Sequence, residues 1–277
     1  MGTLFLVATP IGNLEDISGR ALRILAQVRR IAVEDTRHTG KLLDHYHIHT
    51  PLISYHEHNK LSRLAEVLAA LDEADVALVS DAGTPALNDP GYELVRAALQ
   101  AGYPVSPVPG PSAPLAALVS SGLPTDAFLY LGYLPRKTSE RQTQIGKIAA
   151  LPYTLIFLEA PHRLLLALQD LQAVLGDRPI AVARELTKLH EEIFRGSLSQ
   201  ALAHFSAQPA RGEITLVIAG NKAQPAWTEE QVLSQLEQLI SEGNSASQCA
   251  AEMADRSGWP RRKLYRLVMD LQKRSKQ

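Results

Sequence analysis

Val76-Ala77-Leu78-Val79-Ser80-Asp81-Ala82-Gly83-Thr84-Pro85 decides how this chain reads. The four apolar residues predict a buried strand, and the Ser-Asp-Ala-Gly-Thr-Pro segment then delivers polar groups at its carboxyl end. In open α/β sheets, ligands sit just beyond the carboxyl ends of strands. Gly83 lets backbone approach a ligand closely, and Pro85 fixes the turn. Taken alone, the stretch is equally readable as an ordinary strand-to-helix turn. Its surroundings separate the two readings.

Outward from this stretch, strands and helices alternate. Residues 4–8, 31–33, 51–55 and 105–108 are further strand candidates in the first half. Helical spacing of apolar residues follows Ser18, runs through Leu42 and Leu43, and recurs over 61–71, 92–99 and 115–120. Such alternation predicts parallel βαβ units and a doubly wound sheet. After Gly122-Leu123-Pro124 the texture changes, with strands predicted over 128–133, 153–158, 180–183 and 214–219, the last of the chain. Helices are predicted over 138–150 and 164–175, and the strand order of this half is expected to be more mixed. The expected fold is α/β with two lobes, residues 1–120 and 121–222, and a small helical domain over 228–277. Three short helices at 229–240, 247–256 and 261–273, the last of them basic, resemble a helix-turn-helix module.

The 277 residues are 45% hydrophobic and 21% charged, the composition of a soluble globular protein. A single cysteine, Cys249, excludes an internal disulfide framework and fits a reducing, cytoplasmic setting. No apolar run approaches the roughly 18–20 residues that span a bilayer, and the amino terminus lacks the basic flank of a signal peptide. The net charge of −1 conceals an asymmetry. Residues 1–222 carry 20 basic and 22 acidic side chains, whereas 256–277 carry eight basic residues against Asp270. Positive charge concentrated on Arg261, Arg262, Lys263, Arg266, Lys273 and Arg274 predicts phosphate contact; a solvated helix face is the alternative.

Five loops follow predicted strands: 9–13, 34–37, 80–85, 109–113 and 159–163. Together they crowd the strand ends where a cleft ligand lies. The glycine pattern of a dinucleotide-binding turn, the phosphate loop of ATPases and the Gly-x-Ser-x-Gly elbow are all absent. His45, His47 and His49 alternate, as do His56 and His58. On a strand they would share a face without a carboxylate in register, so no metal site is expected and solvated or RNA-facing histidines are the reading preferred.

Leu-Phe-Leu-Val-Ala-Thr-Pro-Ile-Gly-Asn-Leu-Glu-Asp-Ile (4–17), Glu-Asp-Thr-Arg-His-Thr (34–39), Ser-Asp-Ala-Gly-Thr-Pro (80–85), Pro-Gly-Pro-Ser-Ala (109–113) and Glu-Ala-Pro-His-Arg (159–163) occur in that order. This set closely resembles the bacterial ribosomal RNA small-subunit methyltransferase I family, within the tetrapyrrole-methylase-like superfamily of S-adenosylmethionine enzymes. The resemblance covers residues 1 to about 222, and the basic tail is similar to the family's extra carboxyl-terminal domain. It implies a two-lobed homodimeric enzyme that methylates a cytidine ribose 2′-hydroxyl in the decoding region of 16S ribosomal RNA, with the RNA or the 30S subunit as partner. It also implies a methyl-donor site in the interlobe cleft lined by Asp81, Gly83 and Thr84, with Ser112 and Ala113 opposite and Pro10 and Leu158 completing the walls. Glu34, Asp35 and His162 are the candidates for proton removal, with Arg37 and Arg163 holding phosphate. The alternative for Glu34, Asp35 and Arg37 is ion pairing that ties the lobes together. A tetrapyrrole methyltransferase of the same architecture and a non-catalytic RNA-binding assembly factor are the competing functions.

Overall fold

Short, continuous apolar runs build the first sheet. β1 (Leu4–Val7), β2 (Arg30–Val33), β3 (Leu52–Ser54), β4 (Val76–Val79) and β5 (Val105–Val108) lie in the order β3-β2-β4-β1-β5. Every pairing among them is parallel. The computed structural model describes residues 1–57, 59–221, 228–257 and 259–274, apart from the side chains at 255, 273 and 274.

Helices α1 (Gly19–Gln27), α2 (Thr36–His45), α3 (Lys60–Glu73) and α4 (Tyr92–Gln100) connect these strands. They cover both faces of the sheet, which is why β4 is buried at all four positions and reads as unbroken apolar sequence. Leu25, Val33 and Val79 belong to one core layer, and Leu4, Leu71 and Leu78 to the other. The chain leaves β1 in one direction, past β4, to reach β2. It leaves β4 in the opposite direction, past β1, to reach β5. The loops after β1 and β4 therefore diverge over adjacent strands, the topological switch point at which open sheets bind ligands.

Helix α5 (Ala113–Ser121) carries the chain to the second sheet and packs on it through Ala117 and Leu118. Next come β6 (Phe128–Tyr133), α6 (Thr138–Ile148), β7 (Thr154–Glu159), α7 (Leu164–Leu175), β8 (Pro179–Arg184), β9 (Glu192–Ser197), α8 (Leu198–Ala207) and β10 (Ile214–Ile218). The sheet order is β6-β7-β10-β8-β9. Only β6 and β7 pair in parallel, so the mixed order expected of this half is found. Strand β9 and helix α8 are additions to the sequence reading. As an edge strand, β9 is only partly covered along its length and shows no apolar run.

The histidine reading needs correcting as well. His45 ends α2 and His47 has a left-handed φ of 55°, so the alternating histidines do not lie on a strand. His58 lies outside the described residues.

The chain divides into two compact units, Met1–Gly220 and Asn221–Gln277. The second unit contains α9 (Glu229–Ser241), α10 (Ala246–Ser257) and α11 (Arg261–Arg274). Thr228 and Gln231 form a reciprocal capping box at the start of α9. Val232, Leu236, Cys249, Met253, Leu264 and Val268 make its core, so Cys249 serves packing.

A buried ion pair braces the second sheet's helices. Arg141 on α6 donates from Nε to the Asp170 carboxylate on α7 at 2.6 Å, and both are almost fully buried. Its Nη1 donates to the carbonyls of Pro135 and Arg136 at 3.0 and 3.1 Å, holding the loop after β6. Removing one partner of such a pair strands the other charge in the interior. Arg141→Ala is therefore expected to cost about 3–5 kcal/mol of unfolding free energy, measured by urea denaturation.

Candidate active site

Polar groups at the strand ends lace four loops together. The amide of Thr9 donates to the Gly83 carbonyl at 2.9 Å, and the amide of Gly83 donates back to the Thr9 carbonyl at 3.0 Å. This isolated antiparallel bridge joins the loops after β1 and β4. Gly83 has φ +76°, the left-handed conformation that favours glycine, and a Cβ there would crowd the Ile11 side chain at 3.3 Å. The Thr84 hydroxyl donates to the Pro111 carbonyl at 3.2 Å, bringing in the loop after β5. The Asp81 carboxylate accepts from the Asp35 amide at 3.2 Å, and the Glu34 carboxylate accepts from the Asp81 backbone amide, which brings in the loop after β2.

Beside these loops lies a cavity of about 250 Å³, walled by both sheets. Asp81, Gly83, Thr84, Ser112, Ala113 and Leu158 line it together. Pro10 does not; it lines an adjoining cavity of about 340 Å³ that shares Ile11, Asp81, Ala82 and Glu213 with the first. Among the four catalytic candidates, only Glu34 lines either cavity. Asp35 is the N-cap of α2, with its carboxylate accepting from the Arg37 amide at 2.8 Å and pairing with the Arg37 guanidinium. That pair stays within one helix start and does not join the lobes. Across the lobes, the Asn13 amide donates to the Thr187 hydroxyl at 3.0 Å. His162 is exposed on the short helical turn after β7. Arg163 is committed to Glu159 and to the carbonyls of Leu134 and Pro135, which occupies the guanidinium expected to hold phosphate.

Adjacent acids have opposite titration behaviour. Burial, reinforced by the negative charges of Asp89 and Asp81, pushes the Glu34 carboxyl above its usual range. The Arg37 guanidinium instead holds Asp35 down at about 2. Sequence reasoning missed several further residues in the cavity, among them Glu213, Asp89 and Tyr130. Burial raises Asp89, although the Ser80 hydroxyl bonds its carboxylate and opposes the shift. Burial pushes the Tyr130 phenol up to about 12, and its hydroxyl has no hydrogen-bond partner among the described residues. The Asp89-Pro90-Gly91 turn announces a helix start, but nothing local indicates that Asp89 turns toward Ser80. No group of three or more His, Cys, Asp or Glu among the described residues is arranged to hold a metal ion.

In the second unit, Arg261, Arg262, Lys263 and Arg266 are exposed on α11. Arg261 donates to the Ser247 hydroxyl at 3.1 Å, and the Lys263 ammonium lies 3.8 Å from the centre of the Trp259 ring. Arg262 and Arg266 are one turn apart beside the half-exposed Tyr265. The side chains of Lys273 and Arg274 lie outside the described residues.

The family model for tetrapyrrole (corrin/porphyrin) methylases matches residues 3–202. A ribosomal RNA small subunit methyltransferase I of Synechocystis sp. is 49% identical over 276 residues, covering 98% of this chain and 99% of its own. The chain belongs to the ribosomal RNA small subunit methyltransferase I family. Another family member, from Thermotoga maritima, is 46% identical over 223 residues, which are 80% of this chain and all of that protein. Among solved structures, a uroporphyrin-III C-methyl transferase from Thermus thermophilus complexed with S-adenyl homocysteine superposes with a TM-score of 0.55. The match spans 79% of this chain and 98% of that one at 20% identity, a likeness of fold. Tetrapyrrole methylases and this RNA methyltransferase family thus share the two-sheet architecture, and no helix among the described residues is long and apolar enough to cross a membrane.

The raised Glu34 carboxyl has a consequence for stability. A group that binds its proton more tightly when folded stabilises the fold fully below its unfolded pKa, and that contribution is lost as pH rises through the higher folded value. Glu34→Gln removes the loss. The variant is expected to melt above the wild type at pH 8, with the gap closing as pH is lowered toward 4. A gap independent of pH in thermal melts would contradict this origin.

Proposed function

We propose that this chain transfers the methyl group of S-adenosylmethionine to the ribose 2′-hydroxyl of a cytidine in the decoding region of 16S ribosomal RNA. The observation that carries this reading is the cavity at the switch point, where residues of three sequence motifs meet Glu34 of a fourth. The residues present suit the donor. Glu34, Asp81, Asp89 and Glu213 all line the cavity and complement a ligand with cationic sulfonium and ammonium groups. The unpartnered Tyr130 hydroxyl offers a hydrogen bond that the protein itself does not use. The glycine at 83 leaves its loop backbone bare against the cavity.

Bound in this cavity, S-adenosylmethionine supplies an already activated methyl group on a good leaving sulfur. Asp81, Gly83, Thr84, Ser112, Ala113 and Leu158 hold it, with Pro10 closing the side toward the adjoining cavity. The chain's main contribution is alignment of the ribose oxygen with the methyl carbon, and such orientation accounts for roughly 7–11 kcal/mol of a barrier. Glu34 receives the hydroxyl proton, since it is the catalytic candidate that lines the cavity and burial there raises its affinity for a proton. Asp35 and Arg37 set the start of α2, and His162 has no part in the cavity itself.

The functional division follows the three segments 1–120, 121–222 and 228–277, with the last binding RNA backbone. Arg262 and Arg266 flank an exposed aromatic ring, a combination suited to phosphate and base contact. Arg261, Lys263, Lys273 and Arg274 add to that field. The substrate is small-subunit RNA or the 30S particle, and the enzyme works in the cytoplasm as a homodimer.

Methyl transfer from labelled S-adenosylmethionine to 30S subunits lacking the mark, with the modified nucleotide mapped, tests the reading. Label on a tetrapyrrole and none on RNA would overturn it. Glu34→Gln is expected to lower turnover by roughly 10²–10⁴-fold while S-adenosylhomocysteine still binds in calorimetry. Deleting residues 225–277 is expected to leave donor affinity intact and to weaken RNA binding most at low salt. Equal RNA affinity of the truncated and full-length proteins across a salt series would remove the tail from recognition.

A further inference from the structure

The adjoining cavity has chemistry of its own. It shares Ile11, Asp81, Ala82 and Glu213 with the donor cavity, so the two cavities adjoin along these four residues. Its outer margin carries three basic side chains, His38 and Lys41 on α2 and Lys188 from the second lobe. Lys188 is already neutralised, its ammonium lying 3.0 Å from Glu185 and 3.3 Å from Glu213. Lys41 is exposed and makes no ion pair among the described residues. His38 is exposed one helical turn away, on the same side of α2.

We propose that this second cavity receives the acceptor nucleotide, its ribose 2′-hydroxyl reaching across the shared margin toward Glu34 and its flanking phosphate on Lys41 and His38. The proposal rests on the RNA-methylating function above and names where that function takes its substrate. Three observations converge on it. A methyl group can pass only between ligands in contact, with reacting atoms about 3–3.5 Å apart, and the margin that the two cavities share is where two such ligands would meet. Charge differs between them, since the donor cavity adds Glu34 and Asp89 to the shared Asp81 and Glu213, whereas the second adds His38 and the unneutralised Lys41. The register is also set, because the Asp35 amide that begins α2 is bonded to the Asp81 carboxylate at that margin. His38 and Lys41 therefore sit on a helix anchored to the donor loop.

The test uses full-length protein, 30S subunits lacking the mark and labelled S-adenosylmethionine. Lys41→Glu and the double variant His38→Ala/Lys41→Ala are expected to raise the KM for subunits about tenfold or more. Calorimetric affinity for S-adenosylhomocysteine should stay within about twofold, because neither residue lines the donor cavity. Lys41→Arg should restore the wild-type KM, and Lys41→Ala should flatten the salt dependence of RNA binding by about 0.7 in log–log slope per lost phosphate contact. Wild-type KM in both charge-removing variants would overturn the subsite, as would parallel loss of S-adenosylhomocysteine affinity. Wild-type protein that binds S-adenosylhomocysteine but leaves subunits unmethylated would instead overturn the proposed function, and the subsite with it.

Discussion

Two backbone hydrogen bonds between Thr9 and Gly83 hold the centre of this molecule. They sit where the chain leaves adjacent parallel strands in opposite directions, and they hold together two loops that would otherwise diverge. Each side of the bridge is secured by buried polar groups. Thr9 is almost fully buried and its hydroxyl donates to the Ser80 carbonyl at 3.2 Å. Beyond the bridge, Asp81 reaches the start of α2 and Thr84 reaches the loop after β5. One constraint thereby aligns polar segments from four strand ends, and the cavities form on either side of it.

The same constraint explains a costly concentration of acid. Glu34, Asp81, Asp89 and Glu213 face one small cavity, and burial raises both Glu34 and Asp89. A fold selected for stability alone would not gather them, since like charges in a partly desolvated space repel. The arrangement becomes favourable when a cation is bound. Asp35, the immediate neighbour of Glu34, shows the contrast within one dipeptide. It points out of the cavity, caps α2 and pairs with Arg37, so it stays ionised and structural.

Much of this was legible in the chain because parallel strands are buried on both faces and leave unbroken apolar runs, as at Val76–Val79. The loops were legible because Gly83, Pro85 and the Pro109-Gly110-Pro111 segment punctuate the pattern. Strand β9 was not legible, since Glu-Ile-Phe-Arg-Gly-Ser acquires its strand character only by pairing with β8 at the sheet edge. The alternating histidines misled for a related reason. Period-two spacing has meaning only on a strand, and His45 ends a helix. Glu34 and Asp35 could not be separated by residue type, because their roles depend on which way each side chain leaves the turn. Tyr130 carries no signal in a strand of aromatic and aliphatic residues until its hydroxyl is found buried without a partner.

How the chain tells one RNA nucleotide from another depends on which surfaces can read more than phosphate. Arginine and lysine on an exposed helix face bind backbone wherever it is presented, which gives affinity and salt dependence but little sequence information. Selection of one ribose requires a surface that can hold that ribose against the methyl carbon, and only the cleft is built on rigid strand ends. In the function proposed, the helical unit would raise the local concentration of RNA, and the residues around Asp81 would decide which hydroxyl meets the donor. Variation in α11 would then be tolerated as a change in affinity. Variation around Ile11 and Asp81 would alter which ribose is methylated.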